Sequence, residues 1–371
     1  MESIHRPTRA IISAGAIKSN IQKEMVHIPE GTEVFAVIKA NAYGHGAVPV
    51  ANIAANAGVS GFGVATMDEA IELREAGITL PILILSSVSP QYLHLLQEYN
   101  LSSTLISLEW WQKAQSYVQN LHSNQPIKLH IKIDTGMNRV GFSDEEEALK
   151  VIRELENSPA FEWEGIFTHF ATADEVDDSH YKDQLAKFEN FYEKLPRIPR
   201  YVHLSNTATS LWREEKIGNM VRFGIGIYGL NPSGKAIQEE LGLTPALQLE
   251  SRIIQCKKVA KDSKIGYGAT YTSEQAEWIG TVPIGYADGW LRALQGFSVL
   301  VKGQRCEIVG RVCMDQMMIR LPFAVAEGTK VTLIGPDGDD EIFIQDLAEY
   351  LGTVNYEVAC LISERVPRFY A

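Results

Sequence analysis

Between residues 34 and 230, short β-rich apolar runs alternate with segments of helical period, and that alternation restricts the fold more than any other feature of the chain. The runs are FAVIKA (35–40), GFGVA (61–65), PILILS (81–86), LSSTLIS (101–107), IKLHIKID (127–134), FEWEGIFTHF (161–170), YVHLSN (201–206) and MVRFGIGIYG (220–229). Eight strand-then-helix units in succession predict an α/β fold with a parallel (β/α)8 barrel. The intervening DEEEALKVIRELE carries Ser143 and Glu146 at capping-box spacing, and HYKDQLAKFENFYEKL repeats aromatics every three to four residues. The acidic run 144–147 needs no function, because a solvated first helical turn favours carboxylates.

After residue 236 the pattern changes to strands separated by turn signals, in ALQLESRIIQCKKVA, WIGTVPIGYA, FSVLVKGQRCEIVGRVCM, MMIRL and KVTLIGP, and only IQDLAEYLG has a helical pattern. The expected organisation is a barrel over 12–236 and a mainly β domain over 237–371, to which residues 1–11 are added. GPDGDDE (335–341) fits no calcium-loop spacing and is read as a hairpin turn.

A formal charge of −12 argues against nucleic acid or an anionic membrane surface as partner, which leaves a small-molecule function. Cys256, Cys306, Cys313 and Cys360 show no CxxC spacing, so they are expected to be reduced core residues with no metal site. MESIHRPTRA has no apolar signal region, and no later stretch offers the ~18 unbroken apolar residues of a span, so a cytoplasmic protein is expected.

Barrel enzymes place chemistry at the C-terminal ends of their strands. Lys39 closes the first run, Lys132 and Asp134 the fifth, His169 the sixth, Asn206 the seventh, and Gly224 and Gly226 lie in the eighth. The loops after the last two strands commonly form a phosphate site; here they supply Ser205, Thr207 and a glycine-lined backbone. A phosphate site beside a strand-end lysine suits pyridoxal 5′-phosphate, whose aldehyde forms an imine with lysine. The alternative at this point is that Lys39 snorkels to solvent and the glycines serve packing.

At AVIKANAYGHG (36–46) the sequence resembles the pyridoxal-phosphate signature of alanine racemases. The resemblance covers nearly the whole chain, through KIDTGMNRVGF (132–142), GIFTHFATADE (165–175), HLSNTAT (203–209), VRFGIGIYGL (221–230), GYGATY (266–271), PIGYADGW (283–290), GRVCMDQ (310–316) and NYEVAC (355–360). It implies a pyridoxal-phosphate-dependent isomerase that interconverts L- and D-alanine by a two-base mechanism through an aldimine, supplying D-alanine for cell-wall peptidoglycan. It further implies that Lys39 holds the cofactor and is one base, that Tyr267 is the other, and that His169 links Tyr267 to Arg222, which faces the pyridine nitrogen. A free tyrosine titrates at about 10, so it needs such help.

Tyr43, Ser205, Asn206, Thr207, Tyr356 and the backbone of Gly224 and Ile225 are implied on the cofactor, and Arg139 on its phenolate and the substrate carboxylate. A carbamylated Lys132 would orient Arg139; Asn138 stands where the family often has glycine. Met314 and Asp315 would complete the substrate pocket, with Tyr286, Arg292 and Asp174 at the entrance. Tyr267, Tyr286 and Met314 would reach the barrel of a partner subunit, making a homodimer with shared sites. Three rivals lack their own signals. A related decarboxylase would need a glycine-triplet phosphate loop, and a barrel metal hydrolase an HxH pair after the first strand. A non-catalytic cofactor-binding barrel would usually lack the second domain.

Overall fold

The computed structural model describes residues 2–120 and 125–371. The chain divides into two compact units, residues 16–42 with 47–244, and residues 1–15 with 43–46 and 245–371. Strand β1 (Arg9–Ile12) lies in the second; β2 (Glu33–Val37), β3 (Gly61–Val64), β4 (Ile82–Ile84), β5 (Ser102–Leu105), β6 (Ile127–Lys132), β7 (Phe161–Phe167), β8 (Tyr201–His203) and β9 (Met220–Phe223) lie in the first.

These last eight strands are parallel neighbours in the order β8-β7-β6-β5-β4-β3-β2-β9. Asn219 N–H donates to Val202 O at 2.9 Å and Arg222 N–H to Ser205 O at 3.0 Å, bringing the two ends of the sheet together into the barrel that the alternation predicts. Phe35, Leu83, Tyr201 and Met220 form a buried apolar cluster, with the Phe35 and Tyr201 rings edge-on at 5.4 Å. Each such side chain contributes about 1.5–3 kcal/mol by leaving water.

Most of the strands end before the apolar runs do: FAVIKA runs to residue 40, whereas β2 stops at Val37, and YVHLSN runs to 206, whereas β8 stops at His203. The apolar run and the ladder end at different residues: past β2 only Ile38 stays buried before half-buried Lys39 and exposed Ala40, and past β8 Leu204 and Ser205 stay buried. The helix Glu145–Glu156 is capped by Asp144, whose carboxylate accepts from Glu147 N–H at 3.0 Å. This corrects the Ser143/Glu146 reading by one residue: of two adjacent capping residue types, the structure uses the one that turns Ala148, Val151, Ile152 and Leu155 inward.

The second unit holds a seven-stranded sheet in the order 304–307, 298–301, 330–337, β10 (Leu247–Arg252), β1, 368–370, with 340–342 on the edge of 330–337. β1 runs antiparallel to β10 and parallel to 368–370. GPDGDDE forms the hairpin in which Asp337 faces Asp340. Two helices occur here, Ile344–Leu351 and Asn355–Leu361. The second was missed because it is short and its cap, Val354, makes no side-chain hydrogen bond. Of the four cysteines only Cys306 is buried and Cys360 is exposed, which corrects their assignment to the core. Among the described residues no helix is long and apolar enough to cross a membrane.

Candidate active site

Just beyond β2 the backbone turns left-handed. Ala40, Asn41, Ala42 and Tyr43 have φ of 51°, 52°, 53° and 51°, a conformation costing about 1–2 kcal/mol for each L-residue. Hydrogen bonds offset that cost: Ala40 N–H donates to Glu69 Oε1 at 2.7 Å, Ala42 N–H to Ile38 O at 2.9 Å, and Ala47 N–H to Asn41 Oδ1 at 2.7 Å. Glu69 is itself the capping-box glutamate of the helix Met67–Glu75. Lys39 sits half-buried at the base of this turn, past the strand that was expected to end in it.

Arg222, buried on β9, is held on five acceptors. Its NH1 donates to His203 Nδ1 and His203 O, both at 2.7 Å. Its NH2 faces Thr168 O and Leu204 O at 2.9 Å and His169 Nδ1 at 3.2 Å. Nε–H has no protein acceptor among the described residues, so this guanidinium keeps one donor for something else. Burial pushes Arg222 down to about 9, with Glu215 opposing and Arg139 adding to the shift, which leaves it charged at neutral pH.

Burial, then Arg222, Arg139, Lys132 and Lys39, hold the His169 imidazole well below its ordinary range. His169 is therefore neutral, with Nδ1 accepting from Arg222 and its hydrogen on Nε2. Four cations converge on one histidine in a chain of net charge −12, which makes this end of the barrel a place for anions. Lys132 lies among them, its Nζ donating to Ile133 O at 2.8 Å. Burial lowers it to about 8 against the pull of Asp134. Arg139 is exposed on the loop after β6, where Asn138 takes the left-handed φ of 56° that glycine usually supplies and donates from its backbone N–H to Asp134 Oδ1 at 3.0 Å.

On the loops after β8 and β9, Ser205 Oγ–H donates to Glu215 Oε1 at 3.1 Å, and Asn206 Oδ1 caps Thr209 N–H at 2.9 Å. Thr207 Oγ1 accepts from Gly224 N–H at 2.9 Å, so the threonine hydroxyl stands between that amide and any ligand. Ile225 opens a buried single turn, Ile225–Tyr228.

The other candidates lie in the second unit. Tyr43 and Tyr356 face each other with ring centroids 6.1 Å apart. Burial, with Cys360 adding, keeps the Tyr43 phenol protonated far above its usual range. Gly44 is required here: a Cβ would stand 2.4 Å from Ala359 O. Tyr267, Tyr286 and Met314 are among the exposed large apolar residues, Tyr267 at 71%. Tyr286 N–H and Ala287 N–H bond Cys313 O and Met314 O, both at 3.1 Å, which backs the tyrosine loop against 313–315. Asp315 pairs with Arg365 at 2.7 Å. Arg292 is exposed in the second unit, and Asp174 is half-buried in the first.

The structure thus gathers Lys39, Lys132, Arg139, His169 and Arg222 in the first unit. Sequence reasoning missed His203, which holds Arg222, and Glu164, which lies behind it. Their signal was a polar residue inside an otherwise apolar strand.

A barrel carrying this cationic end, followed by a β unit that exposes its own aromatic side chains, suits an enzyme for small anionic molecules, and its relatives are amino-acid racemases. The sequence matches the family descriptions "Alanine racemase, N-terminal domain" over residues 12–232 and "Alanine racemase, C-terminal domain" over 246–370. It is 50% identical over 367 residues to the alanine racemase of Levilactobacillus brevis, covering 99% of this chain and 98% of that one. The alanine racemase structure from E. faecalis superposes with a TM-score of 0.98 at 54% identity, covering both chains completely. A histidine racemase from Leuconostoc mesenteroides superposes at 0.94 with 33% identity, over 100% of this chain and 99% of that one. The chain belongs to the alanine racemase family.

Proposed function

We propose that this protein interconverts L- and D-alanine with pyridoxal 5′-phosphate held on Lys39. The observation that carries the reading is Arg222 Nε–H, a donor without a partner among the described residues on an otherwise saturated, buried guanidinium. It suits a pyridine nitrogen, and the four cations around His169 suit a phenolate and a carboxylate. When bound, the cofactor supplies the electron sink that acidifies the substrate α-carbon.

This chain's residues do the rest. Lys39 takes or returns the α-proton on one face and Tyr267 on the other. Tyr267 is exposed, and the reading gives it to the barrel of a second copy in a homodimer. His169, accepting from Arg222 at Nδ1, has only Nε2–H to offer, and a hydrogen bond from it to Tyr267 Oη would favour proton removal by the phenol oxygen. Arg222 donates and never protonates the pyridine, which keeps the sink weak and the proton transfer quickly reversed.

Arg139 holds the substrate carboxylate together with the backbone N–H groups of Met314 and Asp315. Tyr43, which stays a neutral donor, holds phosphate with Tyr356, Ser205, Asn206, Thr207, Gly224 and Ile225; Ser205 Oγ–H must first turn away from Glu215, and Thr207 Oγ1 must release Gly224 N–H. Lys132, lowered to about 8, has the neutral fraction needed to add carbon dioxide, and the resulting carbamate would orient Arg139. Tyr286, Arg292 and Asp174 line the approach.

The protein works in the cytoplasm, where D-alanine feeds peptidoglycan synthesis. A histidine racemase on the same fold means that pocket residues, not architecture, choose the amino acid. Alanine is favoured here, with serine the second substrate, because an added hydroxyl is hard to exclude.

The test is loss of optical rotation by L-alanine with purified protein, and a visible band abolished by borohydride. Lys39→Ala is expected to lose both. A variant that keeps the band would remove Lys39 from the cofactor, and a colourless protein without racemisation would overturn the reading.

A further inference from the structure

Arg222 is backed by a line of buried groups that the proposed reaction does not touch. Arg222 NH1 meets His203 Nδ1 at 2.7 Å, His203 Nε2 meets His130 Nδ1 at 2.8 Å, and His130 Nε2 meets Glu164 Oε2 at 3.0 Å. Ser102 Oγ–H donates to the same Glu164 oxygen. All five side chains are buried, on β9, β8, β6, β7 and β5. The space is made for this line: a Cβ at Gly165 would fall 2.4 Å from His130 Nδ1. The His203 ring is clamped against Phe167, centroids 4.5 Å apart and planes within 9°.

Hydrogen-bond chemistry fixes the direction of every link. A guanidinium only donates, so His203 Nδ1 must accept. Burial, then Arg222, His130 and Lys132, keep His203 well below its ordinary range, so its single hydrogen sits on Nε2 and points at His130 Nδ1. His130 then carries its hydrogen on Nε2, facing Glu164. Burial alone would raise the Glu164 carboxyl, but the hydrogen bonds from His130 and Ser102, with the charge of Lys128, hold it below its ordinary value. The line ends on an acceptor that cannot donate.

We propose that Glu164 is a positioning residue for catalysis: through His130 and His203 it reinforces, from the far end of the line, the tautomer that accepts from Arg222 NH1, and so keeps Arg222 Nε–H aimed at the cofactor ring. Without an acceptor at 164, His130 gains nothing from a hydrogen on Nε2 and can place it on Nδ1. His203 Nε2 must then accept, its Nδ1–H confronts Arg222 NH1, and two donors meet where one hydrogen bond stood. The proposal rests on Arg222 facing the pyridine nitrogen.

The experiment compares Glu164→Leu with Glu164→Gln, because glutamine keeps an oxygen acceptor for His130 while Ser102 can turn to accept from its amide. Solid-state 15N spectra of the full-length enzyme labelled on histidine, with and without cofactor, report which imidazole nitrogens are protonated. Glu164→Leu is expected to move His203 Nδ1 from the unprotonated to the protonated region and to lower kcat roughly tenfold, the scale of one charge-assisted hydrogen bond, with KM for alanine near wild type. Glu164→Gln should match wild type in both. Should Glu164→Leu fail to fold, His130→Leu against His130→Gln poses the same question one link nearer, since glutamine can accept from His203 and donate to Glu164. An unshifted His203 signal in the leucine variants, or equal losses in leucine and glutamine variants, would overturn the proposal. The spectrum of cofactor-free protein reads the tautomer whether or not the racemase reading stands, so the two can fail separately.

Discussion

Ala40 is exposed at a φ of 51°, so it carries the left-handed cost with little packing to offset it. Ala40→Gly is therefore expected to stabilise the protein by roughly 1 kcal/mol, read as a higher Tm, whereas the same change in an ordinary helix destabilises. An unchanged or lower Tm would mean that the strain is relieved elsewhere. Lys132 gives a pH prediction. Its folded value of about 8 lies below its ordinary 10.5, so the cost of burying its charge is full below 8 and is relieved as pH rises from 8 to 10.5. Uptake of 13C-labelled carbon dioxide at Lys132, followed by 13C NMR, should rise with pH up to about 8, because only the neutral amine reacts. At this scale the sequence displayed the residues proposed to meet ligands, since Lys39 and His169 stand out in apolar runs. It marked Glu69 only as a helix cap, three residues after Thr66, and Glu164 only as a polar residue within an apolar strand; the groups each of them holds are brought to it by the fold.

The helix Ala14–His27 turns Ala16, Ile17, Asn20, Ile21 and Glu24 inward. Glu24 accepts from Ser210 Oγ on the helix Thr207–Trp212, and its second oxygen, Oε2, has no partner among the described residues. Burial raises its carboxyl from 4.5 to about 7, partly countered by Ser210 and His27. Below 4.5 both folded and unfolded chains hold this proton. As pH rises through 7 the unfolded chain has already lost it, and the stability it lent disappears. Glu24→Gln should then be more stable than wild type at about pH 8, by on the order of 2 kcal/mol, and no more stable than wild type at about pH 4. A constant offset at both pH values would place the effect in packing and not in the proton. The inward stripe of this helix was readable as a pattern, but the carboxyl within it was not, because its burial comes from a helix nearly two hundred residues away.

For the whole protein, the proposed sharing of sites between two subunits makes a quantitative prediction. Lys39→Ala and Tyr267→Phe chains should each be nearly inactive, and unfolding and refolding them together should restore about a quarter of wild-type activity, since half the dimers are mixed and each mixed dimer has one intact site. Activity staying at the parental level, with mixing confirmed by tags, would place both bases in one chain. The eight-fold alternation made the barrel legible, and the change after residue 236 made the β unit legible. Residues 1–11 were expected with that unit, but the threading of 43–46 into it was not legible, because that segment is too short to carry a period of its own. The place of β1 in that unit bears on how such a gene can evolve. β1 lies between β10 and the last strand, so a cut between the two matched segments, after residue 232 and before 246, strips residues 368–370 of their neighbour and leaves β10 with a bare edge open to aggregation. A gene split there leaves each product without strand partners that the other carries, and a recombinant of two parents keeps the sheet only where the β1 of one still matches the β10 and last strand of the other.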